Sequence, residues 1–218
     1  MSHTRKIKVR PIPKPKPFAL DKSLYHSETN IKNREILEQV LKSLGYSHVG
    51  KGSIVGKSET TMVDIKVSND LGFIRRAGDG LELITTGKAD LLINKISSLY
   101  SYFTCIKNLE KEGYIVKEKK EEGDTFSVVL EKETEEEIKA VEVEARVNNE
   151  IKIHSINHED ATECVEVIEK AEESLEIEEV LENEKTYEYA KKRARTKEKE
   201  PHKVDRRRRR ERKKQRVK

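Results

Sequence analysis

Leu92, Ile96, Leu99, Phe103 and Ile106 recur at spacings of four, three, four and three, which sets five apolar side chains on one stripe of a long helix. A stripe of that length has to be covered, and the chain supplies the cover on both sides. Gly113 ends the helix, and Tyr114-Ile115-Val116 and Thr125 to Leu130 then read as two strands joined across Glu121-Glu122-Gly123-Asp124. The stretch Leu91–Glu131 is therefore a helix leading into a hairpin, and it organises the rest of the chain.

Upstream, Thr4 to Val9 alternates basic and apolar residues and suits a short strand with one buried face. Pro11, Pro13, Pro15 and Pro17 follow, removing backbone donors at every second position, so this segment is expected to be extended, polyproline-like and exposed. It serves either as a spacer or, through Lys14 and Lys16, as a peptide for a partner groove or nucleic acid. Ile36, Leu37, Val40, Leu41 and Leu44 share one helical face within residues 33–44, and Gly45 stops that helix. Between Ser47 and Thr86 the period changes to two, with Gly78-Asp79-Gly80 as a hairpin turn. That glycine segment lacks the following Lys-Ser/Thr step of a phosphate loop and opens a strand. At least five strands and two helices, dominated by hairpins, predict an α+β fold: an antiparallel sheet with helices packed on one face.

Downstream, Val141, Val143 and Ala145 alternate with glutamates, Asn148-Asn149 offers a turn, and Ile151 and Ile153 continue the alternation. Residues 159–183 read as a helix with Cys164, Ile168, Ala171 and Leu175 as its stripe. A hairpin plus one helix buries too little alone, so this unit has to pack on the first domain, another copy or a partner. The organisation expected is an α+β domain at 1–132 with a proline-rich insert at 11–30, an acidic hairpin-helix unit at 140–189 and a basic, disordered tail at 190–218, with helix at most near Tyr187–Arg195.

Charge is sharply divided along the chain. Residues 131–189 carry 6 basic and 21 acidic side chains, whereas residues 190–218 carry 17 and 4. An overall net charge of +4 conceals this, and the division bears on partners and solubility, not on fold. Only 34% of residues are apolar and 39% are charged, so part of the chain stays out of any core. Two cysteines, Cys105 and Cys164, are too few for a disulfide framework and fit a reducing compartment. No apolar run reaches the roughly 18–20 residues of a membrane span, and no signal core follows Met1. The expectation is a soluble, intracellular protein with no membrane contact.

Candidate chemistry is sparse. His154 and His158 are four apart and near Cys164, yet no second cluster completes a metal set, so they read as ordinary histidines and no metal or cofactor is expected. Cys105 reads as a small buried apolar side chain, since no neighbouring His or Lys lowers its pKa. Tyr100 and Tyr102 fall off the helix stripe and edge the core or face solvent. The carboxylates lie in solvated runs such as Glu135-Glu136-Glu137, without the apolar setting that acid–base catalysis needs. No catalytic residue is assigned, and the sequence leaves open whether the protein is an enzyme.

The basic tail is the one strong signal. Arg193, Arg195, Arg206, Arg207, Arg208, Arg209, Arg210, Arg212, Lys213 and Lys214 are the expected nucleic-acid-binding residues, by phosphate neutralisation and counterion release. Almost no aromatic residues interleave them, so base stacking is not expected. A nuclear-localisation-like role and a fold-back onto the acidic segment 131–189 remain alternatives.

Met1-Ser2-His3, the helix end Leu44-Gly45-Tyr46, Leu71-Gly72-Phe73-Ile74, and Leu92 to Gly113 with its Ile-Val strand together resemble an uncharacterised cyanobacterial and plastid-encoded family, the hypothetical chloroplast reading frame thirty-five proteins. The resemblance covers residues 1–10 and 31–132 and carries no catalytic motif. The insert at 11–30, the tail and the basic pair Arg75-Arg76 depart from it. Residues 141–189, with Thr162-Glu163-Cys164, an acidic helix and Tyr187-Glu188-Tyr189, resemble a second small family of unknown function that accompanies the first. The chain then looks like a fusion of two partners, and the resemblance implies an AAA-type ATPase as a further partner and the cytoplasm or plastid stroma as its setting. The sequence thus points to a non-enzymatic binding or adaptor protein contacting RNA, ribosomes or another polyanion. Its alternatives are an assembly partner of that ATPase, or a small enzyme using Tyr100, Tyr102, His154 and Arg75. Oligomeric state is not encoded in any pattern seen.

Overall fold

The computed structural model describes residues 1–13, 24–46, 50–57, 59–76, 80–87, 89–135 and 137–186. The elements run β1 (Ser2–Val9), β2 (Tyr25–Glu28), α1 (Arg34–Ser43), β3 (Gly50–Val55), β4 (Thr60–Lys66), β5 (Leu71–Arg75), β6 (Leu81–Thr85) and α2 (Asp90–Lys111). They continue with β7 (Ile115–Glu122), β8 (Thr125–Glu133), β9 (Ile138–Arg146), β10 (Glu150–Ile156), α3 (Ala161–Glu172) and β11 (Ile177–Thr186). The architecture is α+β. Where one sheet was expected there are two, both antiparallel: a six-stranded sheet of order β11-β1-β10-β9-β8-β7 and a five-stranded sheet of order β2-β6-β5-β4-β3.

The organising helix is α2, and it is buried on more than one stripe. Ile93, Ile96, Leu99, Tyr102, Cys105, Ile106 and Leu109 are all in the core, whereas Leu92 and Phe103 only pack against it. Ser97, Ser98, Ser101, Thr104 and Asn108 are buried as well. Helix α2 meets α1, α3, β9 and β10, so small hydroxyl residues are needed where neighbours approach closely. Their polar atoms are matched: Thr104 Oγ1 donates to the Tyr100 carbonyl (2.8 Å), and Asn108 Nδ2 donates to the Glu173 carbonyl (2.7 Å) at the end of α3.

The six-stranded sheet shows the expected alternation. Ile151 and Ile153 on β10 and Val141 and Val143 on β9 are fully buried, while Glu142, Glu144, Lys152 and His154 between them are not. The β9–β10 turn is held on α2: Asn149 has φ 66°, and its backbone N–H donates to Ser98 Oγ (3.1 Å) while its carbonyl accepts from Val9 N (2.9 Å). The strand order has no break between residues 132 and 140, where a unit boundary was expected; β8 pairs with β9 along its length, and β10 pairs with β1. Of the options for covering the C-terminal hairpin, packing on the first part of the chain is the one adopted.

Two expectations are corrected. The helix expected over 159–183 ends at Glu172, Ser174 takes φ 71°, and residues 177–186 form the edge strand β11 against β1. The apolar stripe stops being useful there, because beyond Ala171 an edge position beside β1 is open and pairing with it satisfies backbone groups. The start of the proline segment, expected exposed, is partly buried: Ile12 is 1% exposed and its N–H donates to Ser97 Oγ at 3.2 Å. The rest of that segment, Gly78-Asp79, residues 187–189 and the whole tail lie outside the described residues. Among the described residues no helix is long and apolar enough to cross a membrane.

The five-stranded sheet is apolar on both faces. Phe73 and Leu83 pair in register and point into the main core, whereas Gly72 and Ile84 pair on the opposite face beside a second cluster of Leu24, Ile54 and Val63. Gly72 is required by that packing: a Cβ there would sit 2.8 Å from Val63 Cγ2 and 3.0 Å from the Ile65 carbonyl oxygen.

Candidate anion-binding cleft

Strands β4 and β5 pair only through Ile65↔Phe73 and Lys66↔Gly72. Beyond that point the Asp64 carboxylate replaces the strand partner and accepts from Arg75 N at 2.9 Å. The splayed strand ends face the start of α1, which is built by side chains. Asn33 is its N-cap, with Oδ1 accepting from Glu35 N (2.9 Å) and Ile36 N (3.2 Å). One turn away in space, Tyr100 Oη accepts from Lys32 N (3.1 Å) and Asn33 N (3.0 Å), tying the entry of α1 to α2. The tyrosine that falls off the α2 stripe is therefore a clamp on this segment.

Between these elements opens a cleft of about 830 Å³ lined by Lys32, Arg34, Lys51 and Arg75, with Glu35 and Asp64 as its acidic members. Four cations thus converge from the loop before α1, from α1, from β3 and from β5. Arg34 Nε is paired with Glu38 at 2.7 Å, an i,i+4 contact on the helix surface. Among the described residues, Lys32, Lys51 and Arg75 have no carboxylate at ion-pair distance. Their neighbour Arg76 is different: it is held by Glu28 and by Glu82 (3.2 Å), and these hydrogen bonds raise its pKa. An open concavity with a cationic excess is suited to holding anionic groups.

A second polar cluster is closed. His158 is 1% exposed and its Nε2 lies 2.9 Å from Tyr114 Oη. Burial holds the His158 pKa below its usual value and pushes the Tyr114 hydroxyl up to about 12. Beside it Lys139 Nζ donates to Glu163 (2.6 Å) and Glu159 (3.1 Å). Burial pushes Glu163 up, but the Lys139 hydrogen bond and the Glu159 N–H outweigh it and hold the carboxyl low. This cluster joins the start of α3 to β9 and to the residue before β7, and reads as a structural lock.

The residues singled out in the sequence are dispersed. Arg75 lines the cleft and Tyr100 borders it, but Tyr102 is in the core against Phe126, and His154 lies on the outer sheet face opposite Glu142. Cys105 is fully buried and its thiol is pushed well above its usual range, chiefly by that burial, as befits a core side chain. His154, His158 and Cys164 do not converge, and among the described residues no three His, Cys, Asp or Glu side chains are placed to hold a metal ion. The expected nucleic-acid-binding residues Arg193 to Lys214 lie outside the described residues. Sequence reading missed Lys32 and Lys51, which no spacing relates to Arg75 and which only the topology brings together. No family model, curated protein or solved structure matches the chain.

Proposed function

We propose that the protein is a binding or adaptor protein for RNA, ribosomes or another polyanion, with the cleft seating backbone phosphates and the tail, from Arg193 to Lys214, adding long-range attraction. The observation that carries this reading is the convergence of Lys32, Lys51 and Arg75, none of them ion-paired among the described residues, on one open cleft. Unpaired surface cations repel each other, and an anionic ligand relieves that repulsion. The chain's charge division adds support, because a +13 terminal segment raises the rate of encounter with any polyanion. The expected setting is the cytoplasm, or a plastid stroma if the family likeness holds.

The test is equilibrium binding of a single-stranded RNA at low salt to the wild type and to Lys32→Ala/Lys51→Ala/Arg75→Ala. Losing three phosphate contacts weakens binding about tenfold or more. Equal affinity in the two proteins removes the cleft from the reading.

A further inference from the structure

We propose that the Phe103 ring on α2 is a stacking platform for a base of single-stranded RNA, with Lys95 and Lys119 holding the phosphates beside that base; this base contact rests on the function proposed above and adds to it. Residues 190–218 contain no Phe, Tyr or Trp, so stacking has to come from another part of the chain. The fold supplies it where α2 meets the β7–β8 hairpin.

Strand register sets the group on one side of the sheet. Lys119 pairs with Val128 and Glu121 with Phe126, and Val128 and Phe126 belong to the core, so all four side chains are on the face that meets α2. There Tyr102 of α2 stands edge-on to Phe103, with ring centres 5.4 Å apart and 79° between planes, and lies tilted against Phe126 at 6.4 Å. Tyr102 and Phe126 are 4% and 7% exposed, whereas Phe103 is only partly buried and is the ring most open to a ligand.

Two ammonium groups cap these rings. Lys119 Nζ lies 6.0 Å from the centre of Phe103, and Lys95 Nζ lies 5.5 Å from that of Phe126. Lys107, Lys117 and Lys120 nearby are paired with Glu110, Glu131 and Glu118. Among the described residues, neither Lys95 nor Lys119 has a carboxylate at ion-pair distance, which leaves both free for phosphate. Glu121 is the opposing charge on the same side of β7. A cation held on an exposed ring is weakly bound, so a base can take its place on Phe103 while Lys119 swings to the phosphate. Nucleic acid supplies both the flat π face and the charge; a free anion supplies only the charge. Phe103 is also well placed relative to the cleft. It is three residues from Tyr100 and neighbours it on the surface of α2, and Tyr100 holds Lys32 and Asn33 at the cleft.

The experiment is equilibrium binding, by the full-length protein at low salt, of oligoadenylate and of an abasic ribose-phosphate oligomer of the same length. Stacking predicts that the wild type binds oligoadenylate at least about fivefold tighter than the abasic oligomer. Phe103→Leu, which keeps an apolar side chain, is expected to lose most of that preference with abasic binding unchanged, and Phe103→Tyr to retain it. Lys95→Ala/Lys119→Ala weakens both probes. Equal binding of the two probes by the wild type overturns the platform whatever the variants do, as does a loss in Phe103→Leu that is equal for both probes or a preference that survives in it. In those outcomes the protein still binds the polyanion and the function proposed above stands; binding of neither probe by the wild type removes both.

Discussion

The two sheets solve the same covering problem differently. The six-stranded sheet has one apolar face under α2 and α3 and one polar face, where opposed charges such as Lys6 and Glu150 (3.3 Å) are laid across neighbouring strands. The five-stranded sheet has apolar residues on both faces, shorter strands, and a register that fails between β4 and β5. Long pairing, with register shifts confined to β1–β11 and β7–β8, makes the first a scaffold. Where β4 and β5 stop pairing, the Asp64 carboxylate takes the Arg75 N–H in place of a strand partner, and the cleft lies there. The difference sets the cleft in the five-stranded sheet and the longer run of paired strands in the other.

Damage to the scaffold should therefore cost stability without touching the cleft. Ile153→Ala, at a fully buried position on β10, is expected to lower unfolding free energy by about 2–5 kcal/mol in denaturant titrations. RNA affinity below the melting transition should stay unchanged. Gly72→Ala attacks the other sheet. The added Cβ meets Val63 and the Ile65 backbone, so a loss of about 1–3 kcal/mol is expected together with weaker RNA binding, since Ile65 also lines the cleft. Loss of binding in Ile153→Ala but not in Gly72→Ala would reverse the comparison.

The scaffold also contains a buried charge with a definite pH signature. Glu172 is 7% exposed, and burial raises its pKa to about 7 although Arg5 Nε lies 3.2 Å away. Neither Arg5 Nε nor Glu172 Oε1 makes a directed hydrogen bond, so attraction does not offset the desolvation. The folded protein then binds more protons than the unfolded chain between the ordinary carboxylate pKa and about 7, and stability falls as pH rises through that window. Relative to Glu172→Gln, which does not titrate, the wild type should lose on the order of 2–3 kcal/mol between pH 4.5 and 8. His158 acts in the opposite sense, since a buried neutral imidazole loses stability as pH falls through its ordinary pKa. Parallel pH profiles for wild type and Glu172→Gln would contradict the assignment.

The smallest expected effect is at the junction of the two regions. Tyr100→Phe removes the hydroxyl that receives Lys32 N and Asn33 N, at about 0.5–1.5 kcal/mol. Hydrogen exchange should quicken at residues 32 and 33 and stay unchanged in the β9–β10 hairpin.

The same contrast explains what was legible from sequence. Strands of the six-stranded sheet alternate cleanly, as in Val141 to Ala145, so β8, β9 and β10 could be read from a period of two. The stripe on α2 was readable too, but burial of Ser98 and Asn108 was not, because it depends on which turn and which helix end lie against them. The first part of edge strand β11 reads in sequence as the end of a helix over 159–183, since its glutamates and scattered Ile177, Val180 and Leu181 satisfy neither period well. The cleft was the least visible: Lys32, Lys51 and Arg75 come from three elements, and the interruption at Asp64 that sets them facing one space is a tertiary event.

The central claim is that these three cations seat phosphates. The slope of log Kd against log salt for a single-stranded RNA measures how many phosphates are neutralised, about 0.7 per contact. Binding through the cleft predicts a slope shallower by about 2 in Lys32→Ala/Lys51→Ala/Arg75→Ala than in the wild type. Superimposable slopes would contradict the account.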